Sequence, residues 1–165
     1  MVIIGALLRQ ITGEPIDVLA KRELFAPLGI TDIEWAHLQS DLPSPYGLRM
    51  RPRDLVKLGQ LVLDHGAWEG SQIVPAAWIE AATSPQINGQ QLYFYGYLFW
   101  LGRSFAQGRE IDWIAGVGLG GQRLYIVPSL DLVVLVHAGL YQSPVQGVAP
   151  LAILNAVLRA CVACE

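Results

Sequence analysis

The 165 residues predict an α+β fold, and three observations carry that expectation. Helical periodicity dominates up to about residue 94. From residue 95, short β-branched and aromatic runs follow one another between Gly, Pro and Asp. A last segment, from about Val145 to Cys161, is apolar on almost every side. Helices, then consecutive strands, then a covering helix is an α+β order, not the alternation that builds a parallel sheet. The expected organisation is one partial domain over 1–165, mainly helical over 1–94, with antiparallel strands and a C-terminal helix over 95–165.

In order along the chain, residues 2–12 read as a short apolar helix stopped by Gly13 and Pro15. Residues 16–26 read as a second helix, with Ile16, Leu19, Ala20 and Leu24 on one side and Lys21, Arg22 and Glu23 on the other. Pro27 and Gly29 end it, and residues 31–47, holding Trp35, Pro43, Pro45 and Gly47, are expected to be irregular. Pro52 suits a first helical turn and Asp54 favours its positive end. Leu55, Leu58 and Val62 then give a buried stripe that Gly66 closes. Pro75 opens another helix with Trp78, Ile79 and Ala82 at helical spacing, and Asn88-Gly89 marks a turn. Strands are expected over Tyr95–Leu101, Ile111–Val117, Gln122–Val127 and Leu132–His137, with Pro128–Asp131 as the turn between the last two. The apolar final helix is expected to be buried.

Composition narrows the function classes. Hydrophobic residues make up 53% of the chain and charged residues only 15%, against the usual quarter charged. Such a chain is either unusually buried or carries apolar surface that expects a partner. The net charge is −3, and Arg49, Arg51 and Arg53 are interrupted and followed by Asp54, which excludes a nucleic-acid footprint. The apolar start, Met1 to Leu8, has no basic segment before it and runs into a helix ending, so it does not read as a signal peptide. No apolar run approaches the ~20 residues of a membrane span. Cys161 and Cys164 form a Cys-x-x-Cys at the C-terminal end of a helix, where the dipole opposes thiolate formation, and no redox or metal role is expected of them.

The chemistry-bearing patterns are few. There is no Gly-x-Ser-x-Gly elbow, no His-Glu-x-x-His helix and no phosphate loop. His37, His65 and His137 lack ligand spacing, so no metal and no cofactor is expected. The five tryptophans, Trp35, Trp68, Trp78, Trp100 and Trp113, read mostly as core, with pocket lining as the alternative. Gly116-Val117-Gly118-Leu119-Gly120-Gly121-Gln122 stands apart. It lies between two strands, where a dinucleotide fingerprint has no place. So many glycines there mean either a glycine-rich hairpin or an exposed edge that offers backbone N–H groups to a substrate.

A series of short stretches then bears on the choice. Ile11-Thr12-Gly13-Glu14-Pro15 and Leu24-Phe25-Ala26-Pro27-Leu28-Gly29-Ile30-Thr31-Asp32 come first. Gly47-Leu48-Arg49-Met50-Arg51-Pro52-Arg53-Asp54-Leu55 follows, running into Leu58-Gly59-Gln60-Leu61. Next come Ile73-Val74-Pro75-Ala76-Ala77-Trp78 and Tyr95-Gly96-Tyr97. Last is Gly120-Gly121-Gln122 to Pro128 with Asp131-Leu132-Val133-Val134. In this order they resemble the C-terminal half of the class C β-lactamase and penicillin-binding-protein family of serine hydrolases, and the lack of a cation at Gly116-Val117-Gly118 points to its esterase-like or amide-hydrolysing branches.

That resemblance implies an antiparallel sheet flanked by helices and acyl transfer through a serine in Ser-x-x-Lys, assisted by a Tyr-x-Asn tyrosine. Neither motif occurs here, and the only lysines are Lys21 and Lys57. The family's third motif, Lys-Thr-Gly or a variant on an edge strand, is matched by Gly116-Val117-Gly118, without cation or hydroxyl. Gly116, Val117 and Gly118 are therefore the expected substrate-binding residues, and the backbone N–H of Leu119 the expected half of an oxyanion hole. The expected substrate of the complete protein is a small ester or amide. The chain by itself is expected to be inactive and to pair with an upstream half or with itself. The alternative is a non-catalytic binding module that keeps the groove. Family members are often periplasmic and sometimes cytoplasmic, so the compartment stays open.

Overall fold

The computed structural model describes residues 2–37, 43–89 and 93–162. The chain forms two compact units, Met1–Asp54 and Leu55–Glu165. The first holds α1 (Val2–Thr12), α2 (Ile16–Ala20) and a hairpin of β1 (Ile33–His37) and β2 (Pro43–Met50). Gly13, at φ 78°, closes α1 and donates its N–H to the Arg9 carbonyl at 2.9 Å. The second helix is shorter than its periodicity predicts. After Ala20 the backbone widens into a π-helical turn over Lys21–Phe25, which brings Phe25 to a ring distance of 6.4 Å from Trp35.

The expectation of an irregular 31–47 is corrected for 33–37 and 43–47, because β1 and β2 pair antiparallel with Ile33 opposite Met50 and Trp35 opposite Leu48, while 38–42 lie outside the described residues. Two prolines in β2 mislead a sequence reading. In a two-stranded ladder each strand has one side free, and a residue without an N–H costs little there. Arg49 and Arg51 face Glu34 and Asp32 at 3.4 and 2.7 Å, so both basic side chains are matched by carboxylates.

Next, α3 (Pro52–Leu63), in the second unit from Leu55 on, leads to a short hairpin, β3 (Ala67–Trp68) with β4 (Ser71–Gln72), and to α4 (Ala76–Ala82). A six-stranded antiparallel sheet follows: β5 (Ile87–Asn88), β6 (Phe94–Tyr95), β7 (Trp100–Ala106), β8 (Arg109–Gly118), β9 (Gln122–Val127) and β10 (Leu132–Val136). Each strand neighbours the next in sequence, from β5 at one edge to β10 at the other. The last helix, α5 (Val148–Val162), packs against β7, β9 and β10.

The expected antiparallel run is therefore present, with two shifts. Tyr95–Leu101 is not one strand. Gly96 donates its N–H to the Phe99 carbonyl at 2.9 Å and Leu98 is left-handed at φ 68°, so the chain turns between β6 and β7. Then β7 runs on to Ala106, and Gln107 and Gly108, at φ 53° and 78°, make a two-residue hairpin loop that pairs Ala106 with Arg109. Asn88 belongs to β5, opposite Phe94, and not to the turn read at Asn88-Gly89. Pro128–Leu130 is a single 3₁₀ turn closed by Asp131 at φ 48°, where the sequence expects it.

The core lies between the sheet and α5. Trp113, Ala115, Tyr125, Val127 and Val136 point from alternate positions of β8, β9 and β10 toward Leu154 and Leu158. On α5 the buried positions are Pro150, Leu154, Leu158 and Val162, one stripe at four-residue spacing. The expectation of all-round burial is thus corrected. Ile153 is 47% exposed, and the helix is covered on one side only. On the opposite face of the sheet, α3 approaches so closely at Gly59 that a Cβ would meet Val133 and Leu124. Leu154→Ala should cost about 2–5 kcal/mol in urea unfolding of the chain, and Ile153→Ala no more than about 0.5 kcal/mol. Equal losses at the two positions would contradict one-sided packing.

Candidate active site

The Gly116–Gln122 run ends β8 and turns into β9. The ladders around β8 are offset. It pairs with β7 over Arg109–Ala115 and with β9 over Ile114–Gly118. Because β7 starts at Trp100, opposite Ala115, the last three residues of β8 have, among the described residues, a ladder partner on the β9 side only. Gly116, Val117 and Gly118 therefore form a short open edge. Successive N–H groups of a strand alternate in direction, so one parity of these residues, Val117 or Gly116 with Gly118, directs its N–H to the open side. Leu119 lies one residue past the strand, in the turn, with its side chain 74% exposed.

The two turn glycines are required by their backbone and surroundings. Gly120 and Gly121 sit at φ 78° and 88°, a region that L side chains enter only with strain. A Cβ on Gly120 would lie 2.6 Å from the Tyr141 ring, and one on Gly121 would lie 3.2 Å from the Ala138 Cβ. The Gly120 N–H donates to Gln146 Oε1 at 3.0 Å, and its carbonyl accepts from the Leu140 N–H at 2.8 Å. The Gln122 side-chain amide donates to the Ala138 carbonyl. The turn is thus tied to the 138–146 segment, and the Gly120 N–H is used within the protein.

Beside the open edge lies a cavity of about 320 Å³. Trp100 and Trp113 contribute indoles to it, and Tyr93 and Tyr125 contribute phenols. Val117 lines it from β8 and Arg123, its cross-strand partner, from β9. Trp113 is fixed by Gly102 opposite it, where a Cβ would strike the indole, and by donating Nε1–H to Ser104 Oγ at 3.1 Å. The Arg123 Nη1 donates to the Gly118 and Gln122 carbonyls at 2.9 and 2.8 Å, which fixes its guanidinium at the turn. Burial pushes the Tyr125 phenol above its ordinary pKa, and nearby Arg123 opposes the rise. Tyr125 therefore stays a neutral hydroxyl at physiological pH. Two of the five tryptophans line a pocket, then, while Trp78 stacks on Tyr97 at 5.4 Å, 54% exposed.

The remaining candidates stay dispersed. His37 Nε2 lies 3.0 Å from Asp17 Oδ2. Ser104 is buried under Trp113, while the Ser84 hydroxyl donates to the Ala81 carbonyl at 3.1 Å. Among the described residues no group of three His, Cys, Asp or Glu side chains could hold a metal, and no helix is long and apolar enough to cross a membrane. Cys161 is a free thiol near the end of α5, and Cys164 lies outside the described residues. Arg123 and Tyr125 are the site residues that the sequence reading passes over. Their signal was the period of β9, which puts Arg123, Tyr125 and Val127 on one face.

This arrangement is part of a β-lactamase/transpeptidase-like fold, with an antiparallel sheet and flanking helices. Solved structures that share it include a candidate 6-aminohexanoate-dimer hydrolase from Bacillus anthracis. That comparison has TM-score 0.76 and 19% identity, over 96% of this chain and 42% of that one. A penicillin-binding protein from Bacillus halodurans matches with TM-score 0.64 and 13% identity, over 93% of this chain and 53% of that one. A candidate β-lactamase from Bacteroides dorei DSM 17855 matches with TM-score 0.60 and 16% identity, over 86% and 52%. This chain thus spans about half the length of the structures it resembles, or less. No protein-family model matches it, and no curated protein does. Gly120→Ala should lower stability by about 1–3 kcal/mol, since the left-handed backbone and the Tyr141 ring both oppose a methyl group. Urea unfolding measures it, and a loss below about 0.5 kcal/mol would contradict the pinned turn.

Proposed function

We propose that this chain is the C-terminal half of a serine hydrolase that cleaves a small ester or amide through an acyl-enzyme, and that it has no activity of its own. The observation that carries the reading is the open edge of β8 at Gly116–Gly118, set beside a ligand-sized cavity in a fold shared with hydrolases and penicillin-binding proteins. A backbone N–H at such an edge can stabilise a developing oxyanion. The resemblance assigns that task to Leu119, the residue that follows this edge in the turn. The nucleophile, its lysine and the assisting tyrosine would come from an upstream half, because Ser-x-x-Lys and Tyr-x-Asn are absent from the 165 residues.

Incomplete apolar packing supports the same reading. Ile3, Leu7 and Ile11 on α1 are more than half exposed. At the sheet margin β10 is five apolar residues with no further strand beside them among the described residues. These are surfaces that an additional sheet strand and helix would cover. The cavity favours a second reading, a binding module that keeps its pocket without a nucleophile.

One experiment separates the two. Incubated alone with nitrophenyl esters, nitrocefin or a fluorophosphonate probe, the chain should give no burst and no covalent label. Hydrolases stripped of nucleophile and base retain roughly 10³–10⁴-fold acceleration from the oxyanion hole and binding. Here even that remainder should be absent, since the serine N–H of the hole is missing too. A separately expressed segment bearing Ser-x-x-Lys and Tyr-x-Asn should restore turnover if the chain is half of a hydrolase, and none if it is a binding module. Stoichiometric labelling of a serine in the lone chain would overturn both.

A further inference from the structure

The last strand of the sheet has a neighbour on one side only. β10 (Leu132–Val136) pairs with β9, and among the described residues no further strand lies beyond it. Along an antiparallel strand the N–H and C=O groups alternate in direction, so part of the β10 backbone points away from β9. No charge, proline or glycine interrupts the five residues Leu-Val-Val-Leu-Val, and the first four are only half-buried. An edge of that kind is a template for another strand. The residues that flank it say which strand fits.

Two copies of one strand that pair antiparallel are related by a two-fold axis perpendicular to the sheet. Opposed residues then share a face, so the register can move only in steps that keep each side chain on its own side. With the axis on Val134, all five residues overlap. Val134 meets its own copy, Leu132 meets Val136, and Val133 meets Leu135. Asp131, just before the strand, meets His137, just after it, at both ends of the seam, and both residues are exposed. Moving the axis to Val133 sets Asp131 against Leu135, and moving it to Leu135 sets His137 against Val133. The Val134 register alone matches apolar with apolar and carboxylate with imidazole.

We propose that β10 is a docking edge for a second copy of this chain, whose own β10 pairs with it antiparallel about Val134. The two faces of the sheet agree with that pairing. Leu132, Val134 and Val136 pack on the side of the α5 core, and Val133 on the side that α3 approaches at Gly59. Across the seam each set lies beside its own copy, so both faces continue as apolar rows and half-buried side chains gain cover. One strand per copy is a small interface, so the dimer is weak and reversible. The proposal goes beyond the functional reading above and does not depend on it. A strand supplied by the proposed upstream half would compete with the second copy for one edge.

Sedimentation of the 165-residue chain measures the monomer–dimer constant, and cysteine cross-linking reads the register. In a Cys161→Ser, Cys164→Ser background, Val134→Cys should give a disulfide-linked dimer with oxidised glutathione, because opposed Cα atoms lie about 4.5–5.5 Å apart. Leu132→Cys alone should not link, since its own copy lies roughly 13 Å along the strand. Mixed with Val136→Cys it should. Val134→Lys sets two ammonium groups face to face on the axis and should weaken the dimer at least about tenfold. Should that variant fail to fold by circular dichroism, the exposed His137 takes its place. His137→Glu should weaken the dimer by about two- to fivefold, the scale of an exposed cross-strand charge pair, and His137→Lys should not weaken it. A chain that stays monomeric, leaving the edge to a strand of another protein, would overturn the proposal. So would a dimer indifferent to Val134→Lys, or self-linking of Leu132→Cys in preference to Val134→Cys. None of these readouts involves turnover, so failure of the split-hydrolase reading and failure of this one are distinguishable.

Discussion

The offset of the two ladders on β8 is the constraint on which the candidate site depends. Among the described residues only Ile114 and Ala115 are paired on both sides; before them β8 leans on β7, and after them on β9. An unbroken six-stranded sheet would have consumed the hydrogen-bonding groups of Gly116–Gly118. By handing β8 from one neighbour to the other, the chain leaves three residues with an open edge, and the start of β7 at Trp100 forms the corner where the cavity lies. The glycine turn that follows could swing such an edge away from any fixed geometry. It is held by Gln146, Leu140 and Tyr141, which tie Gly120 to the segment before α5. A backbone donor that must wait for a developing charge is useful only if it is preorganised, and this strap is what holds it.

A second constraint runs through the rest of the molecule. The apolar content is high, yet much of it stays uncovered. Ile3 and Ile11 are 75% and 80% exposed, α5 buries one stripe of an almost wholly apolar surface, and β10 presents Leu132–Val136 as an edge without a charge, a proline or a bulge to protect it. Proteins that use an edge strand as a boundary ordinarily blunt it. Such an edge, together with the open side of α5, is the surface that the proposed upstream half would cover.

The fold class and most of the antiparallel run could be read from the residues, because strand period, turn chemistry and the Pro128–Asp131 turn agree with one another. What escaped reading has physical causes. Pro43 and Pro45 argue against strand in general, but a two-stranded ladder leaves each strand a side on which a missing N–H costs little. Gln107-Gly108 lacks the Asn or Asp that usually announces a two-residue hairpin, so the end of β7 was hidden. Apolarity all round α5 could not say which faces have neighbours. The glycine run was legible as a special segment, and its position between strands was right. Arg123 was passed over because its meaning is a cross-strand relation to Val117, which no local pattern contains.

Association state tests the central claim, that this chain is built to be continued by further structure, most directly. Sedimentation velocity of the purified 165-residue chain over a range of concentrations, with an apolar dye added in parallel, reads the uncovered surface itself. The account predicts concentration-dependent association and dye binding, both suppressed when an upstream segment is supplied. A compact monomer at every concentration, with no dye bound, would contradict it.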